Sequence, residues 1–599
     1  MGDLEAAEKE GCDERRTYTY RPMESATTIR LLELSPGAEE NPLRGRLRHI
    51  DIDQPGYPAF DPVTMDRDEP DMLHESASDP QCPRYEALSY VWGPVVYSHP
   101  LHCDEGKVFI TPSLDEALRR LRLSDRVRVL WADGVCINQA DVQERGQQVK
   151  LMGSIYSKAS RVLIWLGADP SNKAPETFQL KFGLNETLTT ELLVNFVKSC
   201  SWFERMWVVQ EAYLGQTALA IWGDAEISFH ELESAMAIVR GRIPRERAWM
   251  IRMYHTNSAP LDFFQTLSST RHLKCFDARD RIFALLGLPY KARDQKIVSK
   301  IVPDYTVPVH ELYYQVACRM IEAGRGADVL RLVLHGSSLA KWPPDLPSWV
   351  PNWADSSASC FPSLSHWRME VRSWASLDQS NLSLIAQGYT LDRVLAASAS
   401  CWNEEFSGMD TISVTSFWET NIKSMTEKLN RRGDLFFCEA ITCGGGFYSL
   451  GWADAQQQSA EWFLKFWSAE RAAAQTMQVS GLGEEMIVSI RRSITAVKEE
   501  TKEHENKPIR IPAPERFRHY LRGRKLFITS NQHIGLGPEA MRDGDAIALL
   551  DGADTPMVLR QQESFYQVVG AAYISGLIDE EGIQMREQMS DKLETFELR

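Results

Sequence analysis

Tyr85-Glu86-Ala87-Leu88-Ser89-Tyr90-Val91-Trp92-Gly93, Leu130-Trp131-Ala132-Asp133-Gly134-Val135-Cys136-Ile137-Asn138-Gln139 and Trp202-Phe203-Glu204-Arg205-Met206-Trp207-Val208-Val209-Gln210-Glu211 decide how this chain is read. Each closes a short apolar run with polar or small residues where a strand or helix would end. A scaffold presents a site in that way, whereas a run that only builds core stays apolar. Around these stretches the pattern alternates. Leu88 to Trp92 reads as a strand, Leu114 to Leu123 as a helix and Val127 to Ala132 as a strand. Asp141 to Ser157 reads as a helix with Val142, Val149, Met152, Ile155 and Tyr156 on one face. Arg161 to Leu166 is a further strand, Thr189 to Leu214 a helix and Ala218 to Trp222 a strand. Strands alternating with helices of this length predict an α/β domain, a parallel sheet with helices on both faces.

Outward from this core the signals change. Residues 1 to about 26 are charged and poor in large apolar groups, which predicts disorder. Thr28 to Leu34 and Leu43 to Ile52 read as strands, followed by a loop from Asp53 to Pro83 rich in Asp, Pro and Ser. From His230 to Gly324 the pattern is mainly helical, including Leu261 to Ser268 and Asp280 to Leu286. A mixed region follows, with Trp-rich and Ser-rich segments, a Gly444-Gly445-Gly446 hinge and a charged helix from Glu484 to Lys502. From Gly523 to Ile578 four short strands start at Lys525, Ala546, Met557 and Tyr566, separated by Gly, Pro and Asp. The expected division is a disordered 1–26, an α/β domain over 27–225, a helical region over 226–360, a mixed region over 361–520 and a small β-rich unit with its tail over 521–599. No internal repeat is evident.

Composition narrows the function. With 599 residues the chain is too long for one core, and 43% hydrophobic with 25% charged residues is ordinary globular make-up. Lys and Arg number 66 against 82 Asp and Glu, so the formal charge is 66 minus 82, or −16. That argues against a nucleic-acid-coating protein, which needs a basic footprint; Arg119-Arg120-Leu121-Arg122 reads as a solvated helix face. The 11 cysteines are scattered without a Cys-x-x-Cys pair, and no His pair follows Cys438 and Cys443 at zinc-finger spacing. His99-Pro100-Leu101-His102-Cys103 reads as a hairpin after the Gly93-Pro94 turn, so no metal is expected. Unpaired thiols suit a reducing compartment. There is no apolar run of the ~20 residues that cross a bilayer, and Met1 to Arg16 is acidic and polar rather than a secretory signal. The expectation is a cytoplasmic protein with no membrane span.

The three opening stretches resemble the signature blocks of the fungal heterokaryon incompatibility (HET) domain. The likeness is dense from Asp133 to Gly167: Asp133, Ile137-Asn138-Gln139, Asp141, Glu144-Arg145, Gln148-Val149, Met152, Ile155-Tyr156, Ala159 and Trp165-Leu166-Gly167 agree in order and spacing. Arg279-Asp280-Arg281-Ile282-Phe283-Ala284-Leu285-Leu286-Gly287-Leu288, Pro303-Asp304-Tyr305, Ile534-Gly535-Leu536-Gly537-Pro538 and Gly544-Asp545 are similar to segments that follow the domain in large fungal proteins. The resemblance implies an effector of vegetative incompatibility, active in programmed cell death after nonself recognition. The HET domain in turn looks distantly like the TIR domain, which implies a flavodoxin-like sheet. On that likeness Leu88-Ser89-Tyr90 is the first strand and its loop, Leu130 to Gln139 the second, and Trp207 to Glu211 the Trp-x-x-x-Glu of the helix after the third. Two mechanisms stay open: an NAD glycohydrolase, with NAD as substrate and no resident cofactor, or a non-enzymatic assembly module. Either implies a protein partner or self-association, and the C-terminal portion is expected to restrain or sense.

Glu211 is the candidate catalytic residue. On one continuous helix Phe203, Trp207 and Glu211 share a face, and a carboxylate on an aromatic face is costly to bury unless something uses it. Departure of nicotinamide leaves an oxocarbenium-like ribose, which a nearby carboxylate stabilises. The competing reading is a structural ion pair with Arg145 or Arg205. Ser89, Tyr90, Trp92 and Gly93 close a strand where open α/β sheets bind ligands; Trp92 offers a ring for stacking or plugs the core. Asp133 lies on the next loop, where Asp133-Gly134 is also a common turn pair and Asn138 a helix-cap candidate. With Trp207, these residues are the candidate ligand contacts. If the set forms a site, Glu211 is expected near the sheet's C-terminal edge, partly exposed, with a raised pKa unless an arginine offsets it. Cys136 has no histidine between His102 and His230 to activate it, and Gly444-Gly445-Gly446 lacks the Lys and Ser/Thr of a phosphate loop.

Overall fold

The structure, a computed structural model, describes residues 17–54, 84–178, 186–239, 242–243, 247, 249, 260–335, 345–355, 376–378, 380, 382–403, 408–424, 432–442, 459–464, 467–468, 483–500, 520–553, 555–575 and 593–599. Residues 1–16, most of the 53–83 loop, Cys443 and the triple glycine lie outside the described residues. The chain forms two compact units, Met1–Val307 and Pro308–Arg599. The division falls within the stretch read above as one helical region.

The first unit is built on a nine-stranded sheet: β1 (Thr28–Leu34), β2 (Arg44–Asp51), β3 (Glu86–Tyr90), β4 (His99–Cys103), β5 (Gly106–Ile110), β6 (Arg128–Trp131), β7 (Arg161–Trp165), β8 (Ala218–Trp222) and β9 (Ala225–Ser228), in the spatial order β5-β4-β2-β1-β6-β3-β7-β8-β9. Only β6, β3, β7 and β8 form a continuous parallel core. The parallel sheet expected from the alternation is therefore a mixed one. β1 joins β6 antiparallel, β2 joins β1 antiparallel, and β9 folds back on β8 through Gly223-Asp224. Short turns permit antiparallel return, whereas parallel neighbours need a crossover. Each core crossover carries helices: α1 (Pro112–Leu121), then α2 (Asp133–Cys136) with α3 (Val142–Lys158), then α4 (Ala174–Phe178), α5 (Glu186–Ser199) and α6 (Val208–Leu214). Beyond Arg161 β7 is apolar, with Val162, Leu163, Ile164 and Trp165 buried, as suits a strand covered on both faces.

Local chemistry fixes these elements. Thr111 caps α1 and Pro112 opens it. Asp141 caps α3 by accepting from the Gln143 and Glu144 amides; Asn138, the candidate cap, instead accepts from Ala140 N–H and donates its own N–H to Glu144. Val149, Met152, Ile155 and Tyr156 are buried as expected, but Val142 is 46% exposed because the first turn overhangs the core. The start of the parallel core is pinned by Glu86, which pairs with Arg128 on β6 and Arg161 on β7. Burial alone would raise the Glu86 carboxyl, but the two guanidinium groups hold it below its usual range. Part of the segment expected to be disordered lies along the sheet: Tyr18 N–H bonds Lys107 O at 2.9 Å and the Tyr20 hydroxyl bonds Val135 O at 3.0 Å.

One departure matters for the site. The helix expected from Thr189 to Leu214 is broken into α5, a 3-10 turn at Ser201–Glu204, and α6. Arg205 is extended, with ψ 142°, and bridges Lys274 as a strand would. Phe203 therefore does not share a helix with Glu211. α7 (Phe229–Ile238), α8 (Phe263–Thr270) and α9 (Asp280–Phe283) follow.

In the second unit the long strand Ser383–Ala397 is the organiser. It pairs with Glu594–Leu598, Ala546–Leu550 and Arg524–Thr529 in turn, bending at irregularities near Asp392 and between Val394 and Ala396. Ala546–Leu550, Met557–Gln561, Tyr566–Ala571 and Glu594–Leu598 then close back on it, giving a small barrel. The four short strands expected at Lys525, Ala546, Met557 and Tyr566 are all present. Inside, Arg560 forks onto Asp545 at 2.9 and 2.8 Å.

Candidate functional site

Ser89 and Tyr90 end β3, the first strand of the parallel core, and Gly93 (φ +66°) turns the chain away just beyond. A left-handed residue there favours glycine. Asp133 starts α2 at the end of the neighbouring β6, and α6 carries Glu211 across the same edge. Five of the seven candidates, Ser89, Tyr90, Trp92, Asp133 and Glu211, are thus brought together where β3 and β6 end.

At the centre the Ser89 hydroxyl donates to Glu211 Oε2, and Trp202 Nε1 donates to Ser89 Oγ at 2.9 Å. Glu211 is only 3% exposed, so the partly exposed carboxylate expected from sequence is a buried one. The Arg205 guanidinium donates to the Tyr90 carbonyl. Trp92 Nε1 donates to Asp133 Oδ2 at 2.9 Å, so this indole is tied to the cluster rather than plugging the core alone. Gly134 lets the Tyr90 ring approach, since a Cβ there would lie 2.4 Å from its hydroxyl. That hydroxyl and Asp133 Oδ1 are both buried without a well-formed hydrogen bond, an unusual state for polar atoms.

The electrostatics follow from this crowding. Burial pushes the Glu211 carboxyl up to about 7; Arg205 and the Ser89 hydrogen bond oppose the rise, and Asp133 adds to it. Asp133 is raised as well, by burial first, against the pull of Arg205, Trp92 and Tyr90. Two buried carboxyls thus share the field of one arginine. Among the described residues no arginine forms an ion pair with Glu211. Arg145, one candidate partner, lies over the Tyr305 ring at 4.9 Å instead.

Two candidates stand apart from this cluster. Gly93 supplies the turn. Trp207 is half-buried at the start of α6, and its indole faces Asp280, whose charged form it stabilises. Sequence reasoning missed Trp202 as a site member although it lies inside the third opening stretch, and took Arg205 only as a possible ion-pair partner of Glu211; Arg205 does act on the Glu211 charge. A continuous helix put Phe203 on the Glu211 face; the break at Arg205 puts Trp202 there. Tyr156, read as core, donates to Leu88 O at 3.0 Å and feels the Glu211 charge. Cys136 is sealed, and burial pushes its thiol up to about 12, which removes any thiolate at neutral pH. His99–Cys103 forms the expected hairpin, with β5.

Comparison with known proteins agrees with this architecture. The heterokaryon incompatibility protein (HET) family matches residues 85–211, a span that begins just before β3 and ends on Glu211, and the Het-6 beta-barrel domain matches 514–592. The chain thus carries a HET domain over 85–211 and a Het-6 barrel match over 514–592. It is similar to "Heterokaryon incompatibility protein 6, OR allele" of Neurospora crassa, with 24% identity over 634 residues that cover 83% of this chain and 90% of that protein. No solved structure matches the chain. Among the described residues, no helix is long and apolar enough to cross a membrane.

Proposed function

We propose that this protein is an effector of fungal heterokaryon incompatibility, and that its N-terminal unit triggers cell death by cleaving the bond between nicotinamide and ribose in NAD. The incompatibility role is supported by the HET match and by the Neurospora relative. The TIR-like reading is supported by strand order. Numbered by appearance, the parallel core runs second-first-third-fourth (β6-β3-β7-β8), the order of flavodoxin-like sheets. In such sheets ligands bind outside the carboxyl ends of the strands where the order reverses, here between β3 and β7.

The observation that carries the enzymatic reading is the Glu211–Ser89 pair, buried at that edge beside Asp133 and Arg205. A carboxylate poised near neutrality in a low-dielectric site stabilises a developing oxocarbenium ion more strongly than one in water. The Ser89 hydroxyl holds the carboxylate in place as nicotinamide leaves. Asp133 and Tyr90, which face each other beside the pair, are the polar groups nearest to hand for a ribose hydroxyl or an amide. The test is killing on fusion with an incompatible strain: Glu211→Gln should abolish it at unchanged protein level, together with the fall in cellular NAD. Killing by Glu211→Gln at the wild-type level would defeat the reading.

A second reading, assembly without catalysis, is favoured by one specific observation. Val95, Val96 and Tyr97, consecutive residues just past the Gly93 turn, are exposed apolar groups, and Tyr97 feels the Asp133 charge. Exposed apolar clusters of this kind serve association. On that reading Val96→Asp abolishes killing and Glu211→Gln does not.

A further inference from the structure

The helix that carries Glu211 is short and begins just after an extended break, so little in its own sequence fixes its position. A seven-residue helix is not stable alone. What fixes α6 comes from further along the chain. Met206 N–H donates to Lys274 O at 2.9 Å, and the Lys274 ammonium meets Glu204 at 2.8 Å. Gln210, the residue before Glu211, accepts the Gly287 amide at 3.2 Å. Gly287 lies so close to α3 and α6 that a Cβ there would come within 2.9 Å of the Gln210 side chain and 3.0 Å of the Gly153 Cα. The Tyr305 hydroxyl donates to Asp280 Oδ1 at 2.7 Å, and Asp280 also faces the Trp207 indole at the first turn of α6. Arg145 of α3 and Arg279 lie over the Tyr305 ring at 4.9 and 5.4 Å. The segment from Lys274 to Tyr305 thus grips both ends of the break and the helix that follows, and all of it lies beyond the residues that match the HET family.

We propose that Asp280 and Gly287 are positioning residues for Glu211, set on a downstream clamp that holds α6 against α3 and so places the carboxylate beside Ser89. The inference rests on Glu211 being the working group, but its readout does not. Asp280 receives two donors. The indole N–H can only donate, whereas the tyrosine hydroxyl can also accept. An asparagine at 280 therefore satisfies both, accepting from Trp207 and donating to Tyr305, whereas an alanine satisfies neither. An alanine at 287 collides with the Gln210 side chain of α6 and the Gly153 backbone of α3, so it pushes the clamp off both helices without removing any polar group.

The experiment is amide hydrogen exchange on the full-length protein, read peptide by peptide, beside killing assays of the same variants. Asp280→Ala and Gly287→Ala should each speed exchange over residues 207–214 by about tenfold or more while β7 keeps wild-type protection, since a local opening need not involve the sheet. Killing should fall in step, and Asp280→Asn should restore both readouts. Unchanged exchange over 207–214 in Asp280→Ala overturns the proposal. So does a uniform rise across the whole unit, which would mark Asp280 as merely structural. If Gly287→Ala does not fold, the Asp280 pair decides alone. Glu211→Gln should leave exchange as in wild type while abolishing killing; if it kills normally, the catalytic reading fails and the exchange result still decides the clamp.

Discussion

Glu211 is a buried acid whose nearest donor is a hydroxyl rather than an arginine, and that makes it a proton-linked residue. Its carboxyl rises from 4.5 to about 7 on folding. A group raised in the folded state contributes stability that is fully present below the unfolded value and is lost as pH rises through the folded one. The native unit should therefore lose stability between about pH 5 and pH 8, on the order of 3 kcal/mol at most from this group. Glu211→Gln should flatten that slope, as read from urea midpoints across the range; equal slopes would show that Glu211 does not titrate there. Turnover should run the other way, rising as the carboxylate forms. At this scale the sequence was informative about where Ser89, Asp133 and Glu211 lie, because polar residues that close apolar runs mark the end of an element. It did not indicate that Glu211 would be sealed, nor that Trp202 and not Phe203 would reach it, because both depend on the extended residue at Arg205, which is set by a partner 69 positions away at Lys274.

Among the elements, α3 illustrates how the loop after β6 is held. Arg30 of β1 is fully buried and forks onto Glu144 of α3, whose carboxylate also accepts the Asn138 amide at 2.7 Å. Removing Glu144 leaves the buried Arg30 charge without its counter-ion, with His49, the Cys136 and Arg21 carbonyls and the Tyr20 ring left around it. Glu144→Ala should thus cost about 3–5 kcal/mol, seen as a lower melting temperature. Replacing both, as Arg30→Met with Glu144→Leu, should recover most of the loss; a loss under about 1 kcal/mol for Glu144→Ala would show the pair to be solvated. The helices and core strands were legible because their apolar periods are clear. The antiparallel edges were not, since β1 and β2 read as strands whatever their partners. The long strand Ser383–Ala397 was missed for a local reason. It is rich in Leu and Ala and carries Gly388 mid-run, where a Cβ would meet Leu549 O at 2.5 Å, so the glycine serves close packing in the barrel rather than a turn.

At the scale of the molecule, the first compact unit runs to Val307, well past the matched 85–211. Likewise the barrel is completed by Ser383–Ala397 and Glu594–Leu598, which flank the matched 514–592 on either side. Family matches mark the densest sequence signal, not the folding unit. A fragment ending at residue 225 lacks Lys274, Asp280 and Gly287 and should not hold α6. The fragment 1–307 should fold and, if the second unit restrains the first, kill more strongly than the whole chain. Equal toxicity of the fragment and the full chain would argue that nothing downstream restrains it.

The most direct measurement is release of nicotinamide from NAD by the purified full-length protein, wild type beside Glu211→Gln, followed from pH 6 to pH 8. The account predicts release by the wild type that climbs as pH passes about 7, and none above background for Glu211→Gln. Release by Glu211→Gln at the wild-type rate, or no release by a wild-type protein that still kills, would contradict it.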